Sequence, residues 1–336
     1  CSYGTFGLIT LAKLRLIPAT KYVPPAYTRV DSFAEMVRAT QNAARMGIDF
    51  VDGIMFSPAR GVVMIGKRTD ERLSQLTRFS RAWNEWFYVH ADKITAQHQT
   101  YAETIPITDY LFRYDRGGFW VGMYGFRRWS VPFNRLTRFI FNPFLKTREL
   151  YDILHATNVS QQFIVQDISL PESNALSFLK FIDAEFHIYR LWICPLKPDT
   201  NARLSPAHLQ TDMVINVGVW GDPKDGIANY ELAHSMNRDI ERTTEKLRGR
   251  KILYAHAYYP KEEFWNIYGE HWYSELRERY QASRTFPDIY EKVFVADKYR
   301  PEIRKGLSRL ALEKTPRKIK EALLALARVG ANDPTP

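Results

Sequence analysis

Cysteine is nearly missing from this 336-residue chain, which has only Cys1 and Cys194. Two such residues make no disulfide framework, and neither has a metal-like neighbour at short spacing. A reducing compartment or a cytosolic face is the reading that follows. No stretch approaches the roughly 20 uninterrupted apolar residues that a membrane span needs. There is no G-x-G-x-x-G pattern and no Walker lysine, so neither a Rossmann nor a P-loop site is supported. His90 and His98 lack Cys or carboxylate companions at ligand spacing, and no metal is assigned. The chain also has no initiator Met and no signal peptide, so a partial chain is the expectation.

Aromatic residues are plentiful instead. Twenty Phe, nineteen Tyr and eight Trp bring the aromatic share to 14%, which suits either an aromatic core or a pocket for a large apolar ligand. The formal charge of +10 is unevenly placed: residues 298–328 hold ten Lys/Arg against three Glu, leaving only about +3 for the rest. That tail spells basic amphipathic helices interrupted by Pro316, suited to an anionic membrane surface or to packing on the body. Nucleic acid is not supported, because the body has little net charge and none of the usual motifs.

Patterning predicts an α+β protein with an antiparallel sheet carrying helices on one face. "CSYGTFG" places two glycines before the alternating run Leu11 to Leu16, which reads as a strand. "DSFAEMVRATQNAARMG" is a helix with Ser32 and Glu35 at capping-box spacing and Gly47 at its end. "DFVDGIMFS" and "GVVMIGKRT" are strands around the turn "PARG". A second pass begins near residue 161, with "QFIVQDISLP", "IYRLWICPL" and "DMVINVGVWG" as strands. "ESNALSFLKFIDAEF" and "YELAHSMNRDIERTTEKLRG" are its helices. "KILYAHAYY" is a last strand, with Tyr254, His256 and Tyr258 on one face by period two. The aromatic stretch 83–151 shows only weak periodicity.

In "IPITDYLFRYDRGGFW", Tyr110, Arg113, Asp115 and Arg116 crowd together beside two glycines. Arg is a fixed cation suited to anionic flavin or phosphate oxygens, although a surface Arg–Asp cluster explains the same residues. Were the segment extended, Tyr110 and Arg113 would lie on opposite faces, so a shared site requires a bend near Leu111-Phe112. Replacing Arg113 by Ala is expected to lower turnover and leave folding largely intact. Cys194 reads as a small buried hydrophobe, and Tyr189 and Trp192 as pocket wall or core.

Taken in order, "GTFGLIT", "FVDGIMFS", "WFYVHADKI", "IPITDYLFRYDRGGFW", "FIVQDISLP", "HIYRLWICPL", "VINVGVWGDP" and "LYAHAYYPKEEFW" resemble the delta-24 sterol reductases. These are diminuto-like flavoproteins of the vanillyl-alcohol oxidase superfamily. The likeness runs to about residue 296 and covers only the C-terminal part of such an enzyme. It implies that residues 1–20 end a PCMH-type FAD-binding domain. Residues 21–297 would be a substrate (cap) domain with the segment closing the FAD fold, and 298–336 a basic helical tail. Also implied are FAD, NADPH as electron donor, a sterol-like substrate reduced at its side-chain C24 double bond, and the cytosolic face of the endoplasmic reticulum membrane.

On the same resemblance, Tyr258, Tyr110 and Arg113 are catalytic candidates, with Tyr258 the first choice of acid. Gly4, Thr5, Phe6, Gly7 and Arg116 are cofactor-binding candidates; Trp120, Tyr189, Trp192 and Tyr254 would line the substrate pocket. Glu262 also matches, whereas His256 stands where the family more often has an acid. Two alternatives remain open: an FAD-linked oxidase of a phenol or alcohol, and a cap-domain fragment inactive without its FAD half.

Overall fold

A computed structural model describes residues 2–128, 130–157, 159–222 and 230–295; the basic tail expected from residue 298 lies outside them. The chain starts with β1 (Tyr22–Val23), β2 (Ala26–Val30), α1 (Phe33–Arg45), β3 (Phe50–Ser57) and β4 (Arg60–Gly66). Ser32 caps α1, its hydroxyl accepting from the Glu35 amide at 3.1 Å, while the Glu35 carboxylate accepts from the Asp31 amide at 2.8 Å. Next come α2 (Phe87–Gln97), β5 (Thr100–Ala102), β6 (Ile105–Pro106), α3 (Ile107–Leu111), α4 (Val121–Arg128), α5 (Arg135–Ile140) and α6 (Thr147–Ala156). The second half holds β7 (Ile164–Pro171), α7 (Ala175–Phe186), β8 (Leu191–Leu196), β9 (Val214–Gly221) and α8 (Tyr230–Lys246). It closes with β10 (Arg250–Lys251), α9 (Lys261–Tyr268), α10 (Glu270–Arg279) and α11 (Ile289–Val293).

The main sheet runs β10-β7-β9-β8-β3-β4-β2-β5, every neighbouring pair antiparallel. Its order exposes a repetition. β2-α1-β3-β4 and β7-α7-β8-β9 are the same βαββ unit, in each of which the first strand lies beside the last. The two units meet where β3 pairs with β8, Ile54 opposite Trp192.

The α+β class with its antiparallel sheet is therefore found, but helices cover both faces. Helices α1, α7 and α8 enclose a first core with Met36, Phe178, Ile182, Ile193, Val217 and Ile240. On the other face α2 and α4 enclose a second core that includes Tyr27, Ile54, Trp86, Phe87, Trp120 and Trp220. The weakly periodic stretch supplies this layer because short helices and turns can still bury large rings. A third core joins Leu253, Phe264, Trp265, Tyr273 and Ile289, with Tyr3 and Phe6 of the first turn packed on it.

Two expected strands are corrected. Residues 7–20 form no strand: Leu8, Leu11, Leu14 and Leu16 are 80–87% exposed, and no described strand pairs with them. A lone strand leaves its peptide groups without partners and is not stable by itself. Of "KILYAHAYY" only Lys251, with Arg250 before it, pairs with β7, after which the chain turns. The buried Lys251 ammonium donates to the His256 carbonyl and to Glu241, folding the segment back on itself. Among the described residues, no helix is long and apolar enough to cross a membrane.

Candidate active site

The sheet face beneath α4 carries a row of cross-strand neighbours: Ile54, Trp192, Gly218 and Asp167. Gly218 is what lets a ring lie over this row. A Cβ there would stand 2.8 Å from the Trp220 indole and 3.0 Å from an Asp167 carboxylate oxygen. Trp220 consequently stacks on Trp192, with centroids 5.9 Å apart and planes 27° apart. Phe119 completes the wall, 4.6 Å from Trp220, 5.3 Å from Trp192 and stacked on Tyr114 at 4.3 Å. The Trp120 indole N–H donates to the Trp220 carbonyl at 2.9 Å and fixes α4 over the sheet.

A buried acid stands at each end of this aromatic wall, in opposite electrostatic settings. Asp52 accepts from the Arg113 guanidinium at 2.9 Å, the Tyr114 hydroxyl at 2.7 Å and the Trp192 indole at 3.3 Å. Asp167 has neutral partners: the Tyr254 hydroxyl donates to one oxygen and the Asn216 amide to the other at 2.9 Å. Tyr254 is 46% exposed as a residue, yet its hydroxyl turns inward onto Asp167. The Trp220 indole N–H in turn donates to the Tyr254 oxygen at 3.1 Å. Burial holds the Asp167 carboxyl above the usual carboxylate range, and its hydrogen bonds only partly offset this. One acid bound to a cation and another bound only by neutral donors are the kind of pair that divides acid and base work. Cys194 lies buried near both, its thiol pushed up by burial and then by the two acids.

The spacing of Tyr110 and Arg113 calls for a bend between them, and the helical turn of α3 brings the two together. Arg113 lies 4.0 Å over the Tyr110 ring and donates to the Tyr110 carbonyl at 2.8 Å. Its partner is Asp52 and not Asp115, and the pair is buried, so no surface cluster exists here. Burial pushes the Tyr110 phenol up, and its hydroxyl has no hydrogen-bond partner among the described residues. Beside Asp52, Arg113, Tyr114 and Trp192 opens a cavity of about 680 Å³, also lined by Phe50 and Met213.

Other candidates sit elsewhere. Arg116 spends its guanidinium on the carbonyls of Phe79, Ala82 and Asn84 and on the Asn142 side chain. Tyr189 packs against the first core, on the opposite sheet face, and donates to Asp183 at 2.5 Å. Tyr258 is buried against His234, its amide bound to Glu241, and burial pushes its phenol up. Tyr254 and Tyr258 share a small cavity of about 70 Å³. In the first turn, Gly4 takes φ +70°, the Arg277 guanidinium donates to the Thr5 carbonyl, and Phe6 packs on Tyr273. Among the described residues, a Cβ on Gly7 would meet no atom within 4 Å. His90 is paired with the buried Glu103 at 3.0 Å, and no cluster that could hold a metal occurs among the described residues.

Sequence reasoning missed Asp52, Asp167, Asn216, Phe119 and Trp220. The available signal was one acid inside each of two otherwise apolar strands, "FVDGIMF" and "FIVQDISL", where burial makes a charge costly.

No family model matches the chain. It is 28% identical over 308 residues to the Delta(24)-sterol reductases of Macaca fascicularis and Homo sapiens, covering 89% of this chain and 58% of each of those proteins. The Delta(24)-sterol reductase of Arabidopsis thaliana is 25% identical over 346 residues, covering 91% of this chain and 60% of that protein. The resemblance expected from the ordered motifs thus holds across mammals and plants. The chain spans less than two thirds of the length of these relatives.

Proposed function

We propose that this chain provides the substrate side of a flavin-dependent reductase acting on the side-chain C24 double bond of a sterol. The observation that carries the reading is the Asp167–Tyr254 couple at the edge of an aromatic wall, in a chain similar to Delta(24)-sterol reductases. An isolated alkene has no carbonyl to polarise, so its reduction needs a positioned acid and a dry apolar surface. A tyrosine with pKa near 10 is too weak to do this unaided. Tyr254 has a stronger acid behind it. Beside an ionised carboxylate its phenol would keep its proton, whereas a protonated Asp167 refills the phenol as it gives its proton away.

In this reading a protonated Asp167 turns the hydrogen bond round and donates to the Tyr254 oxygen, so that Tyr254 delivers its own proton to C24, leaving positive charge at the tertiary C25, as Asp167 reprotonates it. The faces of Trp192, Trp220 and Phe119 stabilise that charge. A flavin, if bound here, would supply the hydride that completes the reduction, with NADPH as its electron source. Gly4, Thr5, Phe6 and Gly7 would hold it. The Tyr3 hydroxyl donates to the Leu204 carbonyl at 3.5 Å and lies against the backbone of Leu253, the residue before Tyr254. That contact brings Tyr3 to the residue before the proposed acid, and in this reading the acid role passes from Tyr258 to Tyr254. The cavity beside Arg113 has the size of small-molecule sites, about 300–1,000 Å³.

The test is single-turnover oxidation of the reduced holoenzyme by a C24-unsaturated sterol, using the protein made from the complete reading frame. Tyr254→Phe and Asp167→Asn should slow that step about 10²-fold or more, while flavin reduction by NADPH is unchanged and Tyr258→Phe stays near wild type. A wild-type protein that does not consume the sterol would overturn the function. An unslowed Tyr254→Phe would overturn only the acid.

A further inference from the structure

Helix α5 is amphipathic the wrong way round for a helix facing water. Its Arg138 points inward, buried at 4.8 Å from the Phe133 ring and 6.0 Å from Trp86. Leu136, Phe139 and Ile140, at the spacing that shares one helix face, point outward and are 57%, 44% and 56% exposed. Local chemistry fixes this orientation: Asn134 and Thr137 form a reciprocal capping box that sets the first turn. Phe141 and Phe144 extend the apolar surface beyond the helix, and Trp83 joins it with its ring 5.2 Å from Phe139. A contiguous apolar surface of this kind marks an interaction site.

Charge identifies the partner. From Arg116 to Arg148 the chain carries seven Arg or Lys and no Asp or Glu. Arg127, Arg135, Lys146 and Arg148 of this run are exposed, and Arg135 lies 4.7 Å over the Trp83 ring of the apolar surface. Glu85, a nearby acid, is bound to Lys93 at 2.5 Å. Two copies of such a surface would repel each other. An aromatic and aliphatic surface ringed by cations matches the headgroup and acyl boundary of an anionic bilayer.

We propose that the segment from Phe133 to Arg148 docks this chain on an anionic lipid surface. Leu136, Phe139, Ile140 and Phe144 enter the apolar boundary, while Arg127, Arg135, Lys146 and Arg148 meet lipid phosphates and carboxylates. This contact is separate from the reductase reading and from the basic tail. It also places the membrane beside the second core, because Phe126 packs on both Phe133 and Phe141.

The 336-residue chain is sedimented with vesicles of phosphatidylcholine alone and of phosphatidylcholine mixed with phosphatidylserine. Wild type should bind the mixed vesicles, less so as salt is raised. Phe139→Ser with Ile140→Ser should weaken binding about ten-fold or more and leave the thermal midpoint unchanged, since both side chains are exposed. In wild type, vesicle addition should slow amide hydrogen exchange over residues 135–148, a readout that does not depend on the variant folding. Equal binding by the double variant, without protection at 135–148, would overturn the proposal. So would a wild-type surface that ignores vesicles and instead self-associates or captures a protein through these residues.

Discussion

The Arg113 guanidinium reaches the Asp52 carboxylate at 2.9 Å from across the chain, and both side chains are buried. Removing one partner of such a pair leaves an uncompensated charge in a poorly solvated place. Arg113→Ala should therefore cost about 3 kcal/mol of stability, where the sequence alone suggested that folding would stay largely intact. Tyr114 and Trp192 still bond Asp52, which keeps the loss from being larger. Urea unfolding of the variant measures it, and a midpoint equal to wild type would show the pair to be energetically idle.

Asp167 gives a pH dependence of the opposite sign to most acids. Burial raises its folded pKa above the unfolded value of about 3.9. Its contribution is thus complete below that value and is lost as pH rises through the folded pKa. Asp167→Asn removes the titration, so the variant should gain stability relative to wild type as pH rises from the unfolded value through the folded pKa. Thermal midpoints across that range would reveal a flat difference if Asp167 titrates normally.

Glu103 should do the reverse. Burial works against its charge, but hydrogen bonds from His90, Thr77 and Tyr27 and the His90 charge prevail, and its pKa is lowered. Its contribution is present above the unfolded value of about 4.3 and is lost as pH falls through the folded one. Glu103→Gln should flatten the acid limb of stability. Comparing denaturation midpoints at pH 6 and pH 3 reads this directly.

Gly117 occupies φ +87°, and a Cβ there would fall 2.5 Å from the buried Trp86 ring. Gly117→Ala combines a left-handed backbone penalty with overpacking, about 3 kcal/mol together. Calorimetry should show a clear drop in midpoint, whereas Gly7→Ala, with open space around it, should lose little.

The sequence made some of this readable and hid the rest for physical reasons. Ser32, Glu35 and Gly47 announced α1 because capping is local chemistry. Both βαββ passes were visible because apolar strands and helices differ in period. The strand expected at residues 251–259 failed because Lys251, buried against Glu241, reverses the chain, and a tertiary ion pair leaves no periodic trace. Tyr254 was noticed for its ring and not for its partner. Asp167 lies in "FIVQDISL", nearly ninety positions earlier, and only the pairing of β7 with β10 brings the two together.

The doubled βαββ sheet has a kinetic corollary. Strands within each unit lie closer in the chain than β3 and β8 do, so each unit can condense earlier, at a lower entropic cost of closure. The β3–β8 pairing joins Ile54 to Trp192, residues far apart in the chain, and must wait for both halves. Ile54 and Trp192 also begin the row that ends at Asp167. The aromatic wall between the two acids should therefore be among the last parts of the molecule to assemble, and the slowest refolding step should report its closure.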